Sequence, residues 1–277
     1  MQNEISGHSR CAYAKTVVVR GDFAYPIEQV AKQYDMPLAT LINRQLVDAL
    51  VDHLQYVEWG VVYGRHPVEQ VTFLMPKTNA KHVFGVGANY VEKAEDLNIV
   101  AQKPVCFLKT PESVVGPGDV IRFPNFSHNV SAEGELALII GKPCFEVSEE
   151  EALSYVMGYT TALDLTAKDL HAENPRFLQL SKLFQGSCSV GPDIQLGTHD
   201  LASLYVETVR NGEVVHRNTI ANMMYTPAFI VSYISKFVTL VPGDIILTGT
   251  PGSFDCAKGD VAECRVTGLA PQKNQVQ

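Results

Sequence analysis

No apolar run in this chain approaches the ~20 residues that a helix needs to cross a bilayer, so the sequence offers no membrane span. Its first residues, Met1-Gln2-Asn3-Glu4-Ile5, lack the basic-then-apolar form of a secretory signal. A basic excess is missing too. Asp and Glu number 30 against 22 Lys and Arg, a formal charge of −8, which is the wrong sign for a nucleic-acid surface. There is no Cys-x-x-Cys pair. The six cysteines (Cys11, Cys106, Cys144, Cys188, Cys256 and Cys264) are scattered along 277 residues. They read as reduced, mostly buried side chains of a cytoplasmic protein. Internal repeats and low-complexity segments are also absent. What is there is an ordinary globular composition, in a chain long enough for one large domain with a small appendage.

Residues 1–75 form the first region. A strand is expected over residues 14–19, and helices over 26–34 and 37–54, where Leu38, Leu41, Ile42, Leu46, Leu50, Val51 and Leu54 recur near helical spacing. Two helices joined at Asp35-Met36-Pro37 admit a helix-turn-helix, but the second carries few bases, chiefly Arg44. A small α/β domain fits better. Pro76-Lys77-Thr78-Asn79-Ala80 marks the boundary. In residues 76–277 short apolar strands alternate with Gly and Pro turns, which predicts a β-rich α+β domain with a rolled or barrel-like sheet. Ser148 and Glu151 form a capping box, expected to open a helix that turns Leu153, Val156 and Met157 inward. Asn211-Gly212 signals a type I′ hairpin, and an apolar helix should run from Pro227 to about Phe237.

One stretch organises this second region. Residues 136–140 are a continuous apolar run closed by Gly141, hence a buried strand. Glu133 and Glu135 stand at its start, two residues apart, so both point to one face. Two carboxylates side by side repel, and ionised carboxylates are costly to bury unpaired. A hard divalent ion such as Mg²⁺ or Mn²⁺ between them resolves the conflict; a solvated strand end with two exposed glutamates is the bland alternative. Asp164, at the end of the apolar strand over 159–163, is a third candidate ligand. Its alternative role is to cap a helix over residues 165–173.

The stretch Ala132-Glu133-Gly134-Glu135-Leu136-Ala137-Leu138-Ile139-Ile140-Gly141-Lys142 resembles the signature of the fumarylacetoacetate hydrolase family. The resemblance runs from about Lys81 to the C-terminus. It takes in Gly87-Ala88-Asn89-Tyr90, Gly158-Tyr159, Asp164-Leu165-Thr166-Ala167-Lys168-Asp169, Ser181-Lys182, Val190-Gly191-Pro192, Asn211-Gly212-Glu213 and Pro242-Gly243-Asp244 through Thr248-Gly249-Thr250-Pro251-Gly252, in the family's order. It implies a β-roll catalytic domain, usually dimeric, acting on 2-oxo acids or 1,3-dicarbonyl compounds. Glu133, Glu135 and Asp164 match the family's Mg²⁺ or Mn²⁺ ligands. Lys182 matches the lysine that contacts substrate oxygens and supports an enolate, and Thr250 the threonine of the loop that grips a substrate carboxylate. Thr248 has turn chemistry as an equal reading.

The chain departs from the pattern at the expected water-activating His-x-x-Glu. Lys93 and Asp96 occupy those positions. An amine that is protonated near neutral pH is not a general base, and neighbouring Glu92 and Glu95 favour its charged form. Lys93 therefore binds an anionic substrate group or pairs with acids on a helix surface. His128 and His171 are the histidines nearest in sequence to the acids. Lys168 replaces the family's usual arginine, and Ser131-Ala132 the common acid–aromatic pair. The resulting expectation is a homodimeric, metal-dependent enzyme whose partner is a small 2-oxo acid or acylpyruvate-like compound. Hydrolytic C–C cleavage comes first, decarboxylation or keto–enol tautomerisation is the alternative, and a catalytically silent binding protein is a third reading.

Overall fold

The computed structural model describes residues 80–92, 103–198 and 200–277, together with five short strands earlier in the chain. Of those five, Val17–Arg20, Phe23–Pro26 and His66–Pro67 form one antiparallel sheet, and Asn3–Ile5 pairs with Val71–Phe73. Pro26 thus closes a strand, opposite Val17, and does not open a helix. The remainder of the helices expected over 26–34 and 37–54 lies outside the described residues, as do Lys93 and Asp96.

The described part of the second region is α+β, with two curled, mostly antiparallel sheets. Its strands are β1 (Val83–Gly87), β2 (Val105–Lys109), β3 (Val114–Val115), β4 (Val120–Ile121), β5 (Val130–Ile140), β6 (Val156–Ala167), β7 (Cys188–Val190), β8 (Gln195–Leu196), β9 (Tyr205–Arg210), β10 (Glu213–Thr219), β11 (Ile245–Leu247), β12 (Ser253–Asp255), β13 (Val261–Val266) and β14 (Gln272–Val276). The larger sheet runs β2-β1-β11-β5-β6-β7-β3, with β12 beside β5 and β8 beside β6. The smaller runs β10-β9-β13-β14-β4. The helices α1 (Glu149–Ala152), α2 (Lys168–Glu173), α3 (Leu178–Ser181) and α4 (Pro227–Ser235) join them. Among the described residues no helix is long and apolar enough to cross a membrane.

β5 and β6 are the spine. The unbroken apolar run in β5 arises because both its faces are covered. Leu136, Leu138 and Ile140 enter the main core, while Ala137 and Ile139 enter a second cluster with Met157, Ala162, Val190 and Ile245. The two strands pair antiparallel, and the register sets Glu133 directly opposite Asp164. Gly134, between the two glutamates, faces the smaller sheet. A Cβ there would lie 2.7 Å from the Glu207 carbonyl oxygen and 3.1 Å from Thr208 Cα. Glycine is what lets the sheets approach this closely behind the acids.

The structure corrects two local expectations. Ser148 does cap α1, accepting from the Glu151 N–H at 3.3 Å. The helix then tightens into a 3₁₀ turn over Leu153–Tyr155, whose last carbonyl accepts from Gly141 N. Val156 and Met157 therefore begin β6, where Val156 faces Ile140; a short apolar run alone does not separate helix from strand. Asp164 is no helix cap, since β6 continues through Ala167 and the helix begins at Lys168. The hairpin at Asn211-Gly212 is present, with φ of 53° and 86°, as a type I′ turn requires.

Candidate metal centre and active site

Glu133 and Glu135 project from one face of β5, and Asp164 joins them from β6. One carboxylate oxygen of each lies within 4.8 Å of the others. Glu135 and Asp164 are buried and Glu133 is partly so. The chain itself supplies two cations. Lys182, just after α3, donates from Nζ to Glu133 Oε2 at 2.9 Å and Asp164 Oδ2 at 2.6 Å, and its ammonium stands 4.6 Å from the centre of the Phe107 ring. Lys109, the last residue of β2, places Nζ 2.8 Å from Asp164 Oδ1. It also donates to the carbonyls of Leu165, Lys182 and Ser187 at 3.2, 3.1 and 2.7 Å.

Sequence reasoning missed Lys109. The available signal was alternation in β2: Phe107 and Lys109, two residues apart, share its buried face. A lysine in phase with a core phenylalanine is buried only if paired.

The electrostatics are uneven. Burial pushes the Glu135 carboxyl well above the usual carboxylate range, and Asp164 and Glu133 push it further. Glu133 is also raised, chiefly by burial, although Lys182 opposes the shift. For Asp164 burial again acts upward, but the charges of Lys109 and Lys182 outweigh it and lower the pKa. Burial weakens the charged form of Lys182, yet Asp164 and Glu133 hold it as an ammonium. When all five groups are ionised, the three acids exceed the two lysines by one charge. Buried oxygen donors with a residual negative charge suit a hard divalent cation, and Glu133, Glu135 and Asp164 fit such an ion.

Two loops wall the cluster. Gly249 N donates to Glu135 Oε2 at 2.5 Å. Gly249 takes φ +104°, and a Cβ there would fall 2.6 Å from Asn89 Cβ; only glycine fits. Asn89 pins three segments together. Its Nδ2 donates to the carbonyls of Thr248 (2.7 Å) and Tyr225 (3.0 Å), and its Oδ1 accepts from Tyr225 N at 2.8 Å. The Thr248 hydroxyl donates to the Leu136 carbonyl at 2.9 Å and so ties this loop to β5, a role beyond local turn chemistry. Thr250, next to Gly249, donates to the Gly252 carbonyl at 2.9 Å, and Thr208 reaches the same oxygen at 2.8 Å.

Glu133, Glu135, Asp164 and Lys182 are thus brought together, with Thr250 on the adjoining wall. Among the described residues no histidine is hydrogen-bonded to the three acids; His128 is exposed and His171 lies on α2. Lys168 pairs with Asp255 on β12 at 2.6 Å, which ties α2 to the strand after the Thr250 loop.

A sequence profile described as the fumarylacetoacetate hydrolase C-terminal domain matches residues 82–277. A mitochondrial oxaloacetate tautomerase of Xenopus laevis is 36% identical over 220 residues, covering 74% of this chain and 68% of that protein. The crystal structure of a 2-hydroxyhepta-2,4-diene-1,7-dioate isomerase from Mycobacterium marinum superposes with a TM-score of 0.69 at 35% identity, covering 76% of this chain and 80% of the other. A fumarylpyruvate hydrolase from Pseudomonas aeruginosa, solved with Mn²⁺ and pyruvate, gives a TM-score of 0.65 at 27% identity, covering 73% of this chain and 90% of the other.

Proposed function

The chain belongs to the fumarylacetoacetate hydrolase family, and from that premise we propose that it is a Mg²⁺- or Mn²⁺-dependent enzyme that interconverts the keto and enol forms of a small 2-oxo acid of the oxaloacetate type. The observation that carries this reading is the Lys182 ammonium, fixed between Glu133 and Asp164 in a buried cluster that still holds excess negative charge. Keto–enol exchange breaks a C–H bond beside the ketone and forms an O–H bond on it, with no net uptake of water. Its demand is a fixed positive charge where negative charge develops on the oxygen.

Lys182 supplies that charge without reorganising, since two carboxylates already orient it. One preorganised donor of this kind is worth about 3 kcal/mol of barrier. Lys109 fixes Asp164 and the Lys182 carbonyl, so it positions both residues. The Thr250 loop is clamped by Thr208, and the Thr250 hydroxyl would exchange its Gly252 carbonyl partner for the substrate carboxylate. Bound by Glu133, Glu135 and Asp164, a divalent ion supplies Lewis-acid polarisation of the 2-oxo group.

Similarity to a tautomerase and an isomerase supports this order of preference over cleavage, as does Lys93 in place of a water-activating histidine. Hydrolysis is the second reading, supported by similarity to the fumarylpyruvate hydrolase. We also propose a separate N-terminal domain over residues 1–75, a homodimer and a reducing, cytoplasmic setting. The free thiols at Cys106, Cys144, Cys188, Cys256 and Cys264 support the last.

The test is NMR of purified protein with Mg²⁺ and either oxaloacetate or an acylpyruvate. The expected result is accelerated enol–keto exchange of oxaloacetate with its carbon skeleton intact. Pyruvate and CO₂ would make the enzyme a decarboxylase, and an acid pair from the acylpyruvate a hydrolase. Metal binding without any turnover would leave the silent binding protein.

A further inference from the structure

β2 ends the larger sheet, and among the described residues β1 is its one strand partner. An end strand leaves alternate N–H and C=O groups pointing away from the sheet, without a ladder. At Leu108 one side chain takes up both. Gln179, on α3, accepts from Leu108 N at 2.9 Å through Oε1 and donates from Nε2 to Leu108 O at 2.6 Å. Its amide thus does for β2 what one residue of a further strand would do.

Leu108 lies between two residues that already touch Lys182. Phe107 sets its ring 4.6 Å from the Lys182 ammonium, and Lys109 donates to the Lys182 carbonyl at 3.1 Å. Phe107, Leu108 and Lys109 therefore hold, in turn, the ammonium, the helix before it and the carbonyl after it. Gln179 stands three residues before Lys182, and its own carbonyl accepts from Lys182 N at 3.3 Å. These contacts close a ring. It runs from Leu108 to the Gln179 amide, from the Gln179 carbonyl to Lys182 N, and from Lys182 O to Lys109, the neighbour of Leu108. α3 spans only Leu178–Ser181, and a helix that short does not hold its own direction. What it packs against sets that direction.

We infer that Gln179 is a positioning residue: by closing the edge of β2 it fixes α3, and through α3 the Lys182 ammonium against Glu133 and Asp164. This rests on the role proposed above for Lys182. A fixed ammonium stabilises a developing enolate because it need not reorganise during the reaction. On a loosened α3 it would lose that benefit, while Glu133, Glu135 and Asp164 would keep their places on β5 and β6.

The test is Gln179→Met in the full chain, which keeps the length of the side chain and removes both bonds. Mn²⁺ affinity by calorimetry should match wild type. Oxalate, a mimic of the enolate, should bind the Mn²⁺-loaded variant about tenfold more weakly, and kcat for oxaloacetate exchange should fall about tenfold with KM unchanged, the pattern of a misplaced transition-state contact. Gln179→Glu, which still accepts from Leu108 N, should fall between Gln179→Met and wild type. Lys182→Met then separates positioning from packing. If Gln179 acts through the lysine, adding Gln179→Met to Lys182→Met should leave oxalate affinity where Lys182→Met alone puts it. Equal losses in both backgrounds would make Gln179 a structural residue and overturn the inference. So would a Gln179→Met protein that unfolds at a lower temperature but binds oxalate and turns over like wild type. A wild-type protein that binds Mn²⁺ but neither binds oxalate nor exchanges oxaloacetate would overturn the functional reading and this inference with it.

Discussion

Two buried carboxylates, Asp244 and Glu135, sit in strands or turns of the same sheet system and meet opposite fates. Asp244 is saturated. It accepts from Lys81 N, His82 N, Val241 N and His82 Nδ1, all between 2.8 and 2.9 Å. Glu135 accepts from Gly249 N and faces two other acids. Asp244 is what a buried acid looks like when its role is to hold the chain together: every donor is a backbone N–H or the His82 ring, and nothing is left for a ligand. Glu135 is placed among like charges that folding alone would avoid. The difference marks one as architecture and the other as part of a cluster able to coordinate a divalent cation.

Crossed substitutions sharpen that contrast most. Asp244→Ala strips four hydrogen bonds at the start of β11 and should cost about 4 kcal/mol of folding stability, with Mn²⁺ affinity unchanged in the protein that remains folded. Glu135→Gln should do the reverse. Gln still accepts from Gly249 N and no longer repels Glu133 and Asp164, so the metal-free protein should be as stable as wild type or more so. Mn²⁺ affinity should drop by more than the ~100-fold typical of losing a ligand's supporting partner. Chemical denaturation and calorimetry read the two quantities separately. If Glu135→Gln bound Mn²⁺ like wild type, the cluster would not be the metal site.

The same contrast explains what could be read from the sequence. Strand positions were legible where both faces are buried, because the apolar run of β5 is short and closed by Gly141. The shared direction of Glu133 and Glu135 followed from the two-residue period alone. Asp164 entered as the residue that ends an apolar strand, and the register that sets it opposite Glu133 needed the fold. Lys109 was not legible as a site residue, because its partners are distant in the chain. It donates to carbonyls 56, 73 and 78 positions away. Periodicity reports which face a residue occupies and says nothing of what the facing element brings. Val156 and Met157 failed for a local reason, since a capping box starts a helix and does not set its length.

Lys109 offers the next test. Its ammonium is the only cation on Asp164 Oδ1 among the described residues. Lys109→Met removes one partner of a buried pair, which should cost about 3 kcal/mol in the metal-free protein. The cluster then carries one more excess negative charge. Added Mn²⁺ should therefore raise the unfolding temperature of the variant by more than it raises that of wild type, through mass action on the folded state. Equal metal-induced shifts would show that Lys109 does not share the work of neutralising the cluster.

The smallest expected effect comes from an acid resembling Asp244 in its partners but lying near the surface. Asp169, in the first turn of α2, accepts from the Ser127 hydroxyl at 2.6 Å and from His128 N at 2.7 Å. Burial acts to raise its pKa, but those hydrogen bonds and others from Leu170 and Asn129 outweigh it and lower the value below 3.8. A depressed folded-state pKa contributes stability above the unfolded value, and that contribution is lost as pH falls through the folded one. Asp169→Asn keeps an acceptor but loses the charge, so at pH 6 it should cost about 0.5 kcal/mol. The gap to wild type should close once the pH drops below the ordinary aspartate range. A gap that stayed constant well below that range would mean that the hydrogen-bond acceptor, and not the ionised carboxylate, is what α2 uses. Asp169 would then resemble Asp244 in geometry alone.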